Sequence, residues 1–386
     1  MNVYFDNSAT TQPLPEVIKS MVEVSERYYG NPSSLHHLGV EVEHLIKKSK
    51  EVISKSLGIG MNEICFTSGG TESNNLAIKG AAFQFQNRGK HLITSEIEHP
   101  SVYEVFQVLQ KQFGFRVTFL PVNAEGKVSV ADLEEAICPD TILVSIMHVN
   151  NETGTIQPIE EVGPLLKKYP KILFHVDAVQ SIGKIPLDIK GAGIDLLSIS
   201  GHKFHAPKGT GILYVREGLI LSPLFHGGEQ QQGLRPGTEN VPGIVGLAKA
   251  IRINAENGKQ DNMYLQQLKE RFIIGLKESS ISFIINSNEK EKGGAPHIVN
   301  ISLPGLKAEV IVHALEEKGI YVSTKSACSS KKNKPSRVLT AMGLREEYSL
   351  SSLRFSFSKH NTIEEIDYCL SVMEEILPYY QNIMKV

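Results

Sequence analysis

Lys203 has the neighbours that most invite chemistry. It lies in IDLLSISGHKFHAPKGTGILYV, where an apolar run ends at Ser200, His202 precedes the lysine, and a Gly-bearing turn leads into the next apolar run. In open α/β sheets ligands sit beyond the carboxyl ends of the strands, so polar residues directly after apolar runs are the ones to inspect. A lysine flanked by anion-binding Ser and His side chains and facing an apolar floor has its charge disfavoured and can act as a Schiff-base amine. Outside such a setting it is a solvated loop residue. Three other places share the layout. EICFTSGGTESNN passes from a strand through Ser68, Gly69, Gly70 and Thr71 into a helix, which either presents N–H groups and a hydroxyl to a phosphate or is a capped tight turn. KILFHVDAVQ reaches Asp177, which is a helix N-cap or, if buried, needs a cation such as a protonated heterocyclic nitrogen. His99, before Pro100 at the start of an expected helix, is a cap or a flat ring able to stack on a planar group.

These residues need a scaffold that brings strand ends together. Short apolar runs at EICFTS, HLITSE, RVTFLPV, TILVSIMH, KILFHVDAV, IDLLSIS and GILYV are mostly interleaved with helix-like stretches at 71–86, 100–113, 129–137 and 158–168. Such alternation predicts an α/β fold with a mainly parallel, doubly covered sheet. Upstream, Leu14, Val17, Ile18 and Met21 form one helical stripe stopped by Gly30, and residues 38–57 form a second helix closed by Gly58 as a left-handed cap. The polar segment 252–262 precedes a long amphipathic helix, and the last third mixes strands and helices less regularly. The expected division is a large α/β domain at 13–255 and a smaller α+β domain made of 1–12 and 256–386.

Composition limits the alternatives. The 386 residues are 41% apolar and 21% charged, ordinary for a globular protein, and 40 basic against 42 acidic residues leave a net charge of −2. No global field exists for gripping nucleic acid or an anionic membrane. The start, MNVYFDNSATT, has neither the basic nor the apolar region of a secretory leader, and no apolar run is long enough to span a bilayer, so a cytoplasmic protein is expected.

Cys65, Cys138, Cys328 and Cys369 form no CxxC pair, so neither a disulfide framework nor a zinc ribbon is signalled, and no metal is expected. Cys65 and Cys369 sit in apolar patterns and are expected in the core. Cys138 is a loop residue with no assigned role. Cys328 lies in VSTKSACSSKKNKPS, which has almost nothing to bury and reads as a mobile, exposed loop. There Lys325, Lys331, Lys332 and Lys334 either favour the nucleophilic thiolate or form an ordinary basic loop. In SSLRFSFS, alternation puts Leu353, Phe355 and Phe357 on one face and Arg354 on the other, away from the core.

The ordered motifs FDNSATT, GNPSSLHHLG, TSGGTESNN, EHPSV, HVNNETG, HVDAVQ, SGHKFHAPKG, RPGTEN and SACSS closely resemble those of the NifS/IscS-type cysteine desulfurases. These belong to the class-V aminotransferase group of fold-type-I pyridoxal-phosphate enzymes. The resemblance implies a large, mainly parallel seven-stranded sheet domain with a smaller domain beside it. It makes Lys203 the Schiff-base lysine, Asp177 the partner of the cofactor's ring nitrogen and His99 the stacking and catalytic histidine. Gln180 and Asn151 would lie on the phenolic-oxygen side. Gly70, Thr71, Ser200 and His202 would bind the phosphate, joined by Thr238 from the other subunit of a homodimer. Arg354, Asn151 and Asn31 would contact L-cysteine, with Arg354 pairing its carboxylate through the guanidinium fork. Cys328 would take the sulfur as a persulfide, leave L-alanine, and pass sulfur to an acceptor for iron–sulfur cluster assembly or tRNA thiolation. This chain departs from the family pattern at Lys325, where Gly is usual, at Gly69 or Gly70, where Ala is usual, and in SFSKHNT, where SLGRFTT is usual. A selenocysteine lyase or ordinary aminotransferase would share the cofactor residues without needing the cysteine loop. A non-catalytic dinucleotide-binding or scaffold protein would explain the alternation but not the setting of Lys203.

Overall fold

The computed structural model describes residues 1–289, 293–324 and 335–384. Cys328, Lys325, Lys331, Lys332 and Lys334 lie outside the described residues.

After a short strand β1 (Val3–Tyr4), helix α1 (Pro15–Arg27) opens on Pro15 and buries Val17 and Val24. Helix α2 (His37–Leu57) is capped at its start by the His36 ring and at its end by Gly58, whose φ of 68° places it in the left-handed region that the pattern predicted. The alternating region then runs β2 (Ile64–Thr67), α3 (Gly70–Phe85), β3 (His91–Ser95), α4 (Pro100–Phe113), β4 (Arg116–Leu120), α5 (Val130–Ala136), β5 (Thr141–Met147), α6 (Ile159–Leu166), β6 (Leu173–Asp177), β7 (Leu196–Ser200) and β8 (Gly211–Val215). All seven apolar runs are strands of one sheet, in the order β2-β8-β7-β6-β5-β3-β4. Neighbours are parallel except around β8, which runs antiparallel to both β2 and β7. The segment 201–210 that joins β7 to β8 is too short for a crossover helix, so the chain can only turn back beside its own strand. Every residue of β5, β6 and β7 is buried, as expected for strands covered on both faces.

The polar stretch 252–262 does not precede a helix but forms the middle of one, α7 (Val241–Glu278), which is 38 residues long. Asn254 is buried there, donating to the carbonyls of Phe204 and Ala250, while a side chain at Gly258 would face open space. The helix persists because its two ends are fastened separately. Ile244, Leu247 and Ile251 pack into the apolar cluster of the seven-stranded sheet, and Leu265, Leu268 and Phe272 into a second cluster.

The rest of the chain forms β9 (Ile284–Ile285), β10 (Ile298–Ser302), α8 (Ala308–Glu317), β11 (Ile320–Tyr321), α9 (Arg337–Ala341), α10 (Glu346–Leu350), β12 (Ser352–Ser356) and α11 (Ile363–Met384). Strands β12, β10 and β9 make an antiparallel sheet, and β1 pairs in parallel with β11, so the chain's start joins its end. Leu353, Phe355 and Phe357 enter the second cluster with Val3 and Phe5, and the Phe355 ring lies 4.6 Å from that of Phe272. Cys65 and Cys369 are buried, and burial pushes the Cys65 thiol up to about 12. Among the described residues no helix is long and apolar enough to cross a membrane.

Candidate active site

A cavity of about 480 Å³ opens beyond the carboxyl ends of the sheet strands. Gly70, Thr71, His99, Asn151, Asp177, Gln180, Ser200, His202, Lys203 and Arg354, distant in sequence, all line it.

Asp177 is the last residue of β6 and is 5% exposed. Burial pushes its carboxyl above the usual range, opposed by hydrogen bonds from Val179 N–H and the Asn74 side chain and by the charge of Lys203. The Val179 contact is 3.0 Å and the Asn74 contact 2.8 Å. Lys203 follows β7 by one turn, and its Nζ donates to the carbonyls of Ser8 at 2.6 Å and Ala9 at 2.8 Å. Its floor is therefore polar backbone from the N-terminal segment, not the apolar surface expected from the flanking runs. These carbonyls fix where Nζ sits.

His99 caps α4, and its Nδ1 accepts the Ser101 N–H at 3.1 Å, which leaves the ring proton on Nε2. Burial, assisted by Lys203 and Arg337, lowers its pKa to about 4, so the ring is neutral at physiological pH. A neutral flat ring over the cavity suits stacking. Ser101 Oγ lies 2.8 Å from both His99 Nδ1 and Asn74 Nδ2, which links the His99 ring to Asp177 through two side chains.

The β2–α3 turn is shaped by close approach. Gly69 has φ of +148°, a conformation L side chains rarely adopt, and a Cβ on Gly70 would lie 2.7 Å from Val179 Cγ2. Alanine, usual at one of these positions in the resembling family, fits neither without movement. The first-turn N–H groups of α3 have no intrahelical acceptor and carry the positive end of the helix dipole. Glu72, also lining the cavity, would oppose an anion, but its carboxylate is held 2.8 Å from Arg235 Nε and takes the Ser68 N–H at 2.7 Å.

Arg354 does face away from the second apolar cluster, yet it is 1% exposed. Its Nη2 lies 2.8 Å from Asp6 Oδ1 and its Nη1 donates to Asn151 O at 2.9 Å.

The donor set fits pyridoxal phosphate. Asp177 is a buried carboxylate whose ionised form lacks full compensation, as a protonated ring nitrogen would provide. Gln180 Oε1 and Ser8 Oγ are buried in the cavity wall without a hydrogen-bond partner. The glycine turn and α3 N-terminus leave backbone room for a phosphate, and Lys203 lines the same cavity.

Two predicted residues stand apart. Asn31 is exposed on the α1–α2 loop, its Oδ1 accepting the Ser33 N–H, and it does not line the cavity. Thr238 is exposed and also lies outside it. Asn74, Ser101, Asp6 and Ser8 were not anticipated.

A model of the aminotransferase class-V family matches residues 3–369. A cysteine desulfurase IscS of Methanosarcina thermophila is 46% identical over 380 residues, covering 98% of this chain and 93% of the relative. Among solved structures, a NifS-like protein superposes with a TM-score of 0.92 at 40% identity, covering 98% of this chain and all of the other. SspA in complex with cysteine gives a TM-score of 0.82 at 39% identity, over 93% of this chain and 100% of that one. With the fold, the cavity and these likenesses in agreement, the chain belongs to the class-V aminotransferases and, among them, to the pyridoxal-phosphate-dependent cysteine desulfurases.

Proposed function

We propose that this cysteine desulfurase holds L-cysteine in the cavity through Arg354 and delivers the substrate sulfur to Cys328. The observation that carries the reading is the convergence of Lys203, Asp177 and Arg354 on one cavity. Pyridoxal phosphate, when bound, supplies the electron sink for charge developing at the substrate's α-carbon. The chain's residues hold and orient. Lys203 Nζ would hold the cofactor and is the group placed to accept the α-proton, with the Ser8 and Ala9 carbonyls there to receive the resulting ammonium. Asp177 would hold a proton at the ring nitrogen, the neutral His99 ring would stack, and Gly70, Thr71, Ser200 and His202 would take the phosphate. Arg354 and Asn151 bind the substrate. The Cys328 thiolate attacks the substrate sulfur. An S–S bond forms as the C–S bond breaks, its electron pair leaves with carbon, and carbon is then protonated. The sum is L-cysteine plus the Cys328 thiol giving L-alanine plus a Cys328 persulfide. Changing Cys328 to Ser should keep cofactor binding and the spectral response to L-cysteine while abolishing alanine formation. Near-parent alanine turnover would favour an elimination-type lyase instead.

A homodimer in which Thr238 completes the neighbouring phosphate site is supported by the exposure of Thr238 away from its own cavity and by exposed Ile18, Val22, Leu35 and Phe225. A mass measurement in solution giving a monomer would refute it. The apolar clusters at the two ends of α7 support domains at 13–255 and at 1–12 with 256–386, which also meet where Ile97 and Met147 pack with Val338, Leu339 and Met342. The acceptor is a separate protein of iron–sulfur assembly or tRNA thiolation, and the setting is the cytoplasm, whose reducing thiol pool keeps Cys328 a free thiol between turnovers. Persulfide transfer to each candidate acceptor in turn distinguishes the two pathways.

A further inference from the structure

The N-terminal turn 6–10 touches two cationic groups of the site, Lys203 and Arg354. The turn closes with Ala9 N–H donating to Asp6 O at 2.9 Å, and it is fastened to β12 by a bridge between Asp6 and Ser356 and by Ser8 N–H donating to Ser356 Oγ at 2.8 Å. One side of this turn offers the Ser8 and Ala9 carbonyls to Lys203. The other offers the Asp6 carboxylate to Arg354 Nη2 at 2.8 Å.

A guanidinium is planar, so one hydrogen bond fixes a point and two fix the plane. Arg354 has its second point at Asn151 O, 2.9 Å from Nη1, while the backbone is locked by Arg354 N–H donating to Ser323 O at 2.6 Å. Nε is buried without a hydrogen-bond partner. Without Asp6, the single hydrogen bond to the Asn151 carbonyl would leave the fork free to swing.

We infer that Asp6 is a positioning residue for recognition of the substrate's α-carboxylate, because its carboxylate sets the plane of the Arg354 guanidinium from the same turn that seats Lys203. The inference rests on the reading that Arg354 takes that carboxylate. What matters is where the Asp6 oxygen stands. An amide oxygen in the same place serves, and a carboxylate displaced by one methylene does not.

The test titrates holoenzyme, by cofactor absorbance, with L-alanine, which carries the carboxylate without the sulfur, and with ethylamine, which lacks both. Asp6→Ala and Asp6→Glu should weaken L-alanine binding about tenfold or more, the scale of a hydrogen bond to a charged group, and leave ethylamine within about twofold. Asp6→Asn should bind L-alanine nearly as the parent does. With L-cysteine, Asp6→Glu should raise KM more than it lowers kcat. Parent-like L-alanine binding in the Glu variant, equal loss of both ligands, or a parent-like Glu variant beside an impaired Asn variant would each overturn the inference. Arg354→Ala separates the layers. If it leaves L-alanine binding intact, the assignment of Arg354 fails and this inference fails with it. If it abolishes selective L-alanine binding while the Asp6 variants do not, only the inference fails.

Discussion

Replacing Asn74 with Leu removes a donor from Asp177 without opening a cavity, since the two side chains are nearly the same size. Asn74 Nδ2 lies 2.8 Å from Asp177 Oδ2, and the residue is 1% exposed, so water is poorly placed to substitute. A hydrogen bond to a charged group contributes about 1.5–3 kcal/mol. At about 1.4 kcal/mol per unit, its loss should lift the already raised Asp177 pKa by roughly one to two units. The donor favours the ionised form, so removing it shifts the balance towards the neutral acid. If, as proposed, cofactor binding uses the carboxylate, affinity falls as pH drops through that pKa, and the acid limb of the variant should lie about one to two units higher than that of the parent. Apoenzyme titrated with pyridoxal phosphate across pH, followed by fluorescence, reads this directly. Superimposable acid limbs in parent and Asn74→Leu would refute the claim that Asn74 tunes Asp177.

Gly70→Ala should weaken cofactor binding about tenfold or more, because overpacking of this kind typically costs 1–3 kcal/mol, and Val179→Ala should restore much of it by removing the methyl 2.7 Å from the new Cβ. Fluorescence titration of both apoenzymes checks the pair. Burial raises the Glu98 carboxyl to about 8, so the folded state keeps a proton that the unfolded chain releases, and the parent loses stability as pH rises from the ordinary carboxylate range to 8. Glu98→Gln should therefore be the more stable protein by about 1 kcal/mol or more at pH 8, and show little advantage in acid, when urea midpoints are compared. Lys184 behaves oppositely. Burial, with Lys203 and Arg354 nearby, lowers its amine to about 7, so stability it withholds below neutrality returns as pH rises from 7 to its unfolded value, and Lys184→Met should flatten that rise in the same denaturation series.

The large sheet was readable because its strands are buried on both faces and therefore appear as unbroken apolar runs, and because helices with one apolar stripe separate most of them. The cavity residues were readable for a related reason, since ligand-facing groups must follow the strands that aim them. What escaped has no local signature. Asn74 sits on a helix in TESNN, where it looks like a solvated residue, and its role depends on an aspartate 103 positions later. Asp6 meets Arg354 across 348 positions. The polar floor of Lys203 is made of carbonyls, which no side-chain pattern can announce. Only the later part of α7 was expected as helix, because the outer face of its middle is polar, whereas the fastening at each end comes from separate apolar clusters. Arg354 was placed on the face of its strand away from the core, and that face is the wall of the cavity.

Mass analysis of the Cys328 peptide after adding L-cysteine to the holoenzyme, without reductant or acceptor, bears most directly on the central claim. The account predicts that this peptide gains one sulfur atom, in step with about one equivalent of L-alanine, and that the peptides of Cys65, Cys138 and Cys369 gain none. Alanine formation with an unmodified Cys328 peptide, or sulfur carried on another cysteine, would contradict it.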